Sequence, residues 1–317
     1  MYELFQFIAL VAEDGHEWRP GPIQTFGPDV RKYDGPALIA LGENSRPYKP
    51  EPDLFLKFAS VDAEADAEIL SFANSYGLLG GGPRWMALEP QHKGAAPTTV
   101  TGELRSHWQE HLHGMKAAVT LWRAIEGEDS SVLASCIRWR SRDHVTYDWP
   151  ASSELATPWS THATIAAPGI NSHLLERFQY GDVLKPARLY LQEVVNRSLA
   201  KLVAPQLLWK APDRNEMGLY MVPNNLIGSL WLQLADAIAG FQKFRLCESC
   251  GKPMLVAAEG SGYRTNRRTC SNACRIRLYS NRKIEARQLR EKKVSVREIA
   301  KRLNTGVDQI KRWIAKS

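Results

Sequence analysis

The segments CESCGKP (Cys247–Pro253) and TCSNACRIRLYSNRK (Thr269–Lys283) hold four of the chain's five cysteines, as C-x-x-C and C-x-x-x-C with 19 residues between the pairs. A C-x-x-C turn followed by glycine presents two sulfurs from one tight bend. The second pair falls where a helix should begin, because Ser271 or Asn272 is a good N-cap and strong helix formers follow from Arg275 onward. Residues four apart in a first helical turn face the same way, and a helix N-terminus favours thiolates. Four such sulfurs close a tetrahedral shell with no open position, so the expected cofactor is one structural zinc per chain, held by Cys247, Cys250, Cys270 and Cys274. The alternatives at this spacing are a redox pair or cysteines buried by coincidence. Cys136, on the apolar face of another segment, reads as core.

Between the two pairs, KPMLVAAEGSGYRTNRRT reads as a hairpin with Gly260, Ser261 and Gly262 at its tip. Knuckle, hairpin and a helix carrying the last two ligands make a treble-clef-like arrangement. The metal would pin the start of that helix and present Arg275, Arg277, Arg282, Lys283, Arg287 and Arg290 on a rigid rod, beside Arg264, Arg267 and Arg268 of the hairpin. Phosphates are the natural counter-charge; the plainer reading is a charged helix that keeps the protein soluble.

The charge balance extends this pattern. From Phe241 to Ser317 there are 20 Lys/Arg against 6 Asp/Glu, a net of +14, so residues 1–240 hold 21 against 28, or −7, within an overall +7. A basic quarter on an acidic remainder is the electrostatic outline of a nucleic-acid-binding tail. The last segment, VSVREIAKRLNTGVDQIKRWIAKS, opens on a capping box of Ser295 and Glu298. Its first helix carries Ile299, Ala300 and Leu303, Asn304 suits a left-handed turn, and a second helix turns Ile310, Trp313 and Ile314 inward. Two short helices joined by a tight turn are a helix-turn-helix, whose second helix enters the DNA major groove by its N-terminal end. Val307, Asp308, Lys311 and Arg312 would be exposed there, with Lys301 and Arg302 near phosphates. Asp308 either caps its helix or accepts from a cytosine amine. The unit is small enough that it should borrow the metal-anchored helix as its third.

From FRLCESCGKP through RRTCSNACRIRLYSNRK the chain resembles the bacterial CGNR-type zinc-finger proteins and their relatives. That resemblance implies a helical N-terminal region, a C-terminal treble-clef finger, a role in transcriptional regulation, and Cys247, Cys250, Cys270 and Cys274 as ligands. At the motif that names the family this sequence reads Cys274-Arg275-Ile276-Arg277, keeping the cysteine and the final arginine but not the Gly-Asn. The added helix-turn-helix is a further difference.

The remainder is ordinary in composition, 44% hydrophobic and 24% charged across 317 residues. It has no apolar run near the ~18 residues a membrane helix needs and no signal peptide, so the expected compartment is the cytoplasm. A first strand is expected through Tyr2, Leu4 and Phe7, and another over Ala37–Leu41. Helices are expected over SVDAEADAEILSFANSYG with Asp62 or Ser60 as cap, from about Thr101 to Ile125, around Ser131–Ile137, over Val183–Val203, and over NNLIGSLWLQLADAIAG. HVTYDW and Met217–Val222 read as strands. Two motifs there carry weaker chemistry. The glycine run in GLLGGGPRWM lacks the Lys-Ser/Thr of a phosphate loop and reads as a helix exit. HWQEH (His107–His111) fits the H-x-x-E-H of inverted zinc proteases, with Glu110 as base, but its helix must also bury Trp108, Leu112 and Met115, and no third ligand is identifiable.

The expected fold is therefore α+β, mainly α. A mixed region over 1–100 and a helical body with a few short strands over 101–243 precede the finger with its long basic helix over 244–290, then the helix-turn-helix over 291–317. The expected function is that of a DNA-binding regulator, with duplex DNA as partner, no membrane, and homodimerisation possible although no heptad seam is evident. Its rivals are an enzyme with a pocket in the body and an RNA- or protein-interaction module.

Overall fold

Three consecutive residues of the strand Ala37–Ala40, namely Ala37, Leu38 and Ile39, are buried, the mark of a strand covered on both faces. It pairs with His16–Arg19 on one side and Thr98–Leu104 on the other, and the sheet continues through Trp85–Leu88 and Ile23–Thr25 to Lys32–Tyr33, all antiparallel. A β-carbon at Gly102 would stand 2.8 Å from the Leu38 carbonyl oxygen and 3.2 Å from Met86 Sδ, so the close approach of these strands requires glycine. The computed structural model describes residues 7–21, 23–25, 32–80, 85–88, 98–148, 162–211, 216–240, 243–251, 253–257 and 267–315. Among them lie ten helices and fifteen antiparallel strands, a mixed α+β architecture. The expected strand through Tyr2 and Leu4 lies outside the described residues; the first described strand, Ala9–Ala12, pairs with Ser45–Tyr48.

The chain divides into two compact units, Met1–Ile238 and Ala239–Ser317. In the first, helix Arg105–Glu126 buries Trp108, Leu112, Met115, Val119 and Trp122, as its spacing predicts. Its start differs from the expected Thr101, because Thr98–Leu104 is a strand. The run Thr98-Thr99-Val100-Thr101 is β-branched and stiff at χ1, which favours the pleated state. Around this helix gather Phe58 and Phe72, with ring centroids 5.2 Å apart and each within 6.4 Å of Trp108. Helix Asp66–Tyr76 buries Ile69, Phe72 and Ala73, but its N-cap is Ala65 without a side-chain hydrogen bond, not Asp62 or Ser60. Asp62 is spent one turn earlier, accepting from the Glu64 amide at 3.0 Å. Gly77 ends the helix at φ +92°, where a β-carbon would lie 2.5 Å from the Leu10 carbonyl oxygen.

Five further elements of this unit match segments read from the sequence: helices Ser130–Cys136, Leu184–Leu202 and Leu226–Ile238, and strands His144–Asp148 and Glu216–Pro223; helix Leu54–Ala59 and strands Ile137–Ser141, His162–Ala166 and Val203–Ala211 were not foreseen. Helix Leu226–Ile238 is buried nearly all round. Among the described residues no helix is long and apolar enough to cross a membrane.

The second unit holds a two-stranded ribbon, Lys243–Leu246 against Pro253–Ala257, and helices Asn272–Glu291, Val296–Arg302 and Val307–Ala315. It has two small cores. One gathers Met254 and Val256 around the cysteines; the other gathers Ala286, Ile299, Ala300, Leu303, Ile310 and Trp313. The long helix reaches both, so it is the third helix of the terminal cluster.

Candidate metal centre and basic face

The C-x-x-C knuckle forms the tip of the ribbon of Lys243–Leu246 and Pro253–Ala257. Of the hairpin expected over Lys252–Thr269, the tip at Gly260–Gly262 and most of the second arm, Arg264 included, lie outside the described residues. The Gly251 amide donates to the Cys247 carbonyl at 2.8 Å and Gly251 adopts φ +68°, a left-handed turn that suits glycine. Cys270 then precedes the N-cap of the long helix. Ser271 is that cap, accepting from the Cys274 amide at 3.2 Å, so the sulfur of Cys274 sits in the first turn.

The four cysteines carry no disulfide, and their sulfurs all lie within 4.8 Å of one another. Cys250 and Cys270 are 3.6 Å apart and Cys270 and Cys274 3.5 Å. A thiolate tetrahedron with bonds of ~2.3 Å has edges near ~3.8 Å, so the spacing suits a shared ion. The ionisation pattern says the same. Burial opposes charge on Cys247, but amides of Cys270, Ser249 and Cys250 outweigh it and bring its pKa down to about 6. The Ser271 hydroxyl and the Cys270 thiol lower that of Cys274. Burial and the neighbouring sulfurs push Cys270 up to about 12. A bound metal ion would offset the repulsion among the converging sulfurs and favour their thiolate forms.

No protein-family model, curated protein or solved structure matches this chain.

The basic residues around the centre divide by what they touch. Arg267 donates to the Thr269 carbonyl at 3.0 Å, to the Cys270 carbonyl, and to the Leu255 carbonyl at 3.4 Å, tying ribbon to helix entry. Arg268 grips Glu248 with two hydrogen bonds of 2.5 and 2.8 Å, and Arg282 reaches the same carboxylate at 2.8 Å. The Arg268 bonds come first in holding the Glu248 carboxyl below the usual range. Arg287 donates to the Trp313 carbonyl at 3.1 Å, and Arg290 to that of Val294 at 3.4 Å. These five arginines are bound up in holding the unit together. Glu248, inside the knuckle, is the functional neighbour the sequence reading missed; an acidic residue between two ligands of a basic segment was the available signal.

The other positions face outward. Arg275, Arg277, Lys301, Arg302, Lys311 and Arg312 are exposed, and Lys283 is half-buried. Arg275 contacts Asn272 at 2.7 Å and Arg302 contacts Glu298 at 2.6 Å. Val307 and Asp308 are exposed at the start of the last helix. Asp308 lies 3.9 Å from Lys311 and its carbonyl accepts from Arg312 at 3.4 Å.

HWQEH does bring His107 and His111 together, ring centroids 4.5 Å apart and edge-on. Yet His107 Nε2 lies 3.3 Å from the Gly80 carbonyl, an acceptor that fixes that nitrogen as a donor. Burial and the neighbouring His107 bring His111 down to about 3. Among the described residues, only the cysteines assemble three or more converging His, Cys, Asp or Glu donors. The glycine run is likewise engaged: the amides of Leu79, at 2.9 Å, and Gly80 donate to the buried carboxylate of Glu103. A cavity of about 400 Å³ adjoins it, and its buried polar residues serve the fold. His16 is held by Asn74 and Asn225 accepts from the Gly228 amide.

Proposed function

We propose that this chain is a zinc-dependent DNA-binding protein, a transcription regulator that acts by binding rather than catalysis. Its second unit reads as a treble-clef-like finger continued by a helix-turn-helix, and the acidic first unit as the part that senses a ligand or partner. One observation carries the reading. Helix Asn272–Glu291 has only two buried residues, Cys274 in the metal cluster and Ala286 in the terminal cluster, so it is a rod fixed at both ends with cations along it.

The terminal cluster supports the same reading. Asn304 makes the left-handed turn at φ +45° between two short helices whose apolar faces meet the long one. That leaves Val307, Asp308, Lys311 and Arg312 outward on the last helix, the position from which such a helix reads base edges. Arg275, Arg277, Lys283, Lys301 and Arg302 would then contact phosphates, while Cys247, Cys250, Cys270 and Cys274 hold the zinc that fixes the frame. The resemblance to CGNR-type proteins belongs to this proposal, as does a cytoplasmic setting, whose reducing conditions keep thiols available as ligands.

The test is fluorescence anisotropy of the full chain on duplex DNA and on single-stranded RNA across a salt series. Binding to the duplex should weaken steeply with salt, and Arg277→Ala should reduce the logarithmic slope by ~1. Lys311→Ala and Arg312→Ala should lower the preference between duplex sequences. A flat salt response, or equal affinity for the RNA, refutes the proposal.

A further inference from the structure

The ribbon formed by Val203–Ala211 and Glu216–Pro223 breaks the rule that an antiparallel pair is apolar inward and polar outward. Its register sets Pro205 opposite Met221, Leu207 opposite Leu219, and Trp209 opposite Met217. Because side chains alternate along a strand, these six share one face. All six are apolar, and the face is open: Leu207 is 64% exposed, Trp209 56%, Met217 56% and Leu219 45%. At its end this face runs into buried Val203 and Pro223, and the opposite face is partly covered, with Gln206 exposed and Ala204, Leu208 and Val222 half-buried. There Tyr220 is buried and its ring lies over Gly218, where a β-carbon would come within 2.8 Å of it.

We propose that this face is a homodimer interface, covered by the same ribbon of a second copy packed against it about a twofold axis. This inference is independent of the DNA reading. Three features select the occupant and the geometry. The ribbon is a two-stranded sheet among the described residues, so both strands present edges, but Pro205 and Pro223 lack amide donors and blunt edge-to-edge pairing. Contact must therefore come through the face.

None of the six residues is charged, and an isologous contact sets a patch against itself. An uncharged face meets its own copy without like-charge opposition, whereas nothing on it would select a partner of opposite sign. A twofold axis between the faces, crossing the central Leu207–Leu219 row, sets Trp209 against the partner's Pro205, large against small.

The area is adequate as well. The six side chains expose on the order of 500 Å², as large a patch as a monomer ordinarily leaves uncovered. That is the greater part of the ~800 Å² per partner in a standard interface.

Sedimentation equilibrium of the full chain at micromolar concentration tests this. The wild type should be a dimer. Trp209→Ser should raise the dimer dissociation constant at least ~30-fold, as expected for loss of a central tryptophan anchor. Gln206→Ser, on the other face of the same strand, should leave it unchanged, and far-UV circular dichroism should show both variants folded. In the wild type, amides of residues 206–209 and 217–221 should exchange more slowly as concentration rises. A monomeric wild type, an oligomer that Trp209→Ser leaves intact, or exchange independent of concentration would each overturn the proposal.

Discussion

Withdrawing the metal should unfold one end of the tail and spare the other. Helix Asn272–Glu291 is buried at Cys274 and at Ala286, which its rise places ~18 Å apart. Around Cys274 the apolar packing is thin: Met254 and Val256 supply ~3–6 kcal/mol at ~1.5–3 each. A zinc ion bound by four cysteines would supply ~10–16 kcal/mol at neutral pH, so a bound ion would be the larger contribution there. Around Ala286 the balance is reversed. Ile299, Leu303, Ile310 and Trp313 supply ~6–12 kcal/mol on the same scale with no metal involved. The assay is hydrogen exchange by mass spectrometry on the full chain, before and after a chelator, with metal release followed by a colorimetric indicator. Amides of residues 272–282 should fall toward intrinsic exchange rates, while those of 286–289 and 296–315 should stay within ~10-fold of their starting protection. Cys270→Ser should reproduce the chelated pattern. If 296–315 collapses together with 272–282, the two cores are not independent and the reasoning fails. If 272–282 stays protected after the metal has left, packing rather than the ion folds that end.

Gly251→Ala adds a β-carbon in open space but at φ +68°, so backbone strain of ~1–2 kcal/mol should weaken metal affinity roughly 5- to 30-fold in a competition titration. Tyr279→Phe removes the hydroxyl that accepts from Trp313 Nε1 at 2.8 Å while keeping the ring contact. It should lower the stability of the terminal cluster by ~1–3 kcal/mol, read as faster exchange across 307–315. His111 and Asp236 should give opposite pH slopes in denaturant titrations. Burial and the neighbouring His107 bring His111 down to about 3, so the unfolded chain binds the extra proton and stability falls by ~1.4 kcal/mol per unit from about pH 6.5 toward pH 3. Burial raises Asp236 to about 7, so the folded chain keeps the proton and stability falls as pH rises from about 4 to 7. His111→Phe should reduce the acid-side slope by ~1.4 kcal/mol per unit and Asp236→Asn should remove the Asp236 share of the loss between about pH 4 and 7; a variant whose slope equals that of the wild type refutes the assignment. Burial also lowers His16 and His113, which add to the acid-side loss in both variants.

Local chemistry was legible wherever one residue type had one physical use. Cysteine spacing identified the converging quartet, Ser271 or Asn272 was the expected cap of the long helix and Ser271 is the one that caps it, and Ser295 and Asn304 mark the cap and the left-handed turn of the terminal helices, because each depends on neighbours within a few positions. The helical spacing of Trp108, Leu112, Met115, Val119 and Trp122 likewise survives intact. What failed depends on distant partners. Thr101–Leu104 reads as the first turn of a helix until Ala37–Ala40 stands beside it, and nothing near Gly102 states that Leu38 will pass so close. The ribbon that carries the knuckle was not foreseen, because the sequence between the cysteine pairs holds only one of its strands. Pro253–Ala257 pairs with Lys243–Leu246, which comes before the first cysteine, so the knuckle is the turn that joins these two strands.

The arginines teach a related lesson about charge. Summed along the sequence, the tail's excess is a uniform attraction for phosphate. In the structure many of its arginines already have internal acceptors, and five of them tie separate segments of the frame together: through carbonyls at the helix entry for Arg267, Glu248 for Arg268 and Arg282, and the helix ends for Arg287 and Arg290. A small unit with two short cores lacks the apolar surface to fix its loops, and a guanidinium with five donors is an efficient substitute. Substituting one of these five would loosen the frame and weaken every ligand alike, whereas Arg277, Lys311 and Arg312 face outward and their loss would be felt at the contact itself. A binding assay separates the two groups only when metal affinity is measured beside it. The frame-holding arginines should move both quantities, and the outward residues should move nucleic-acid binding alone.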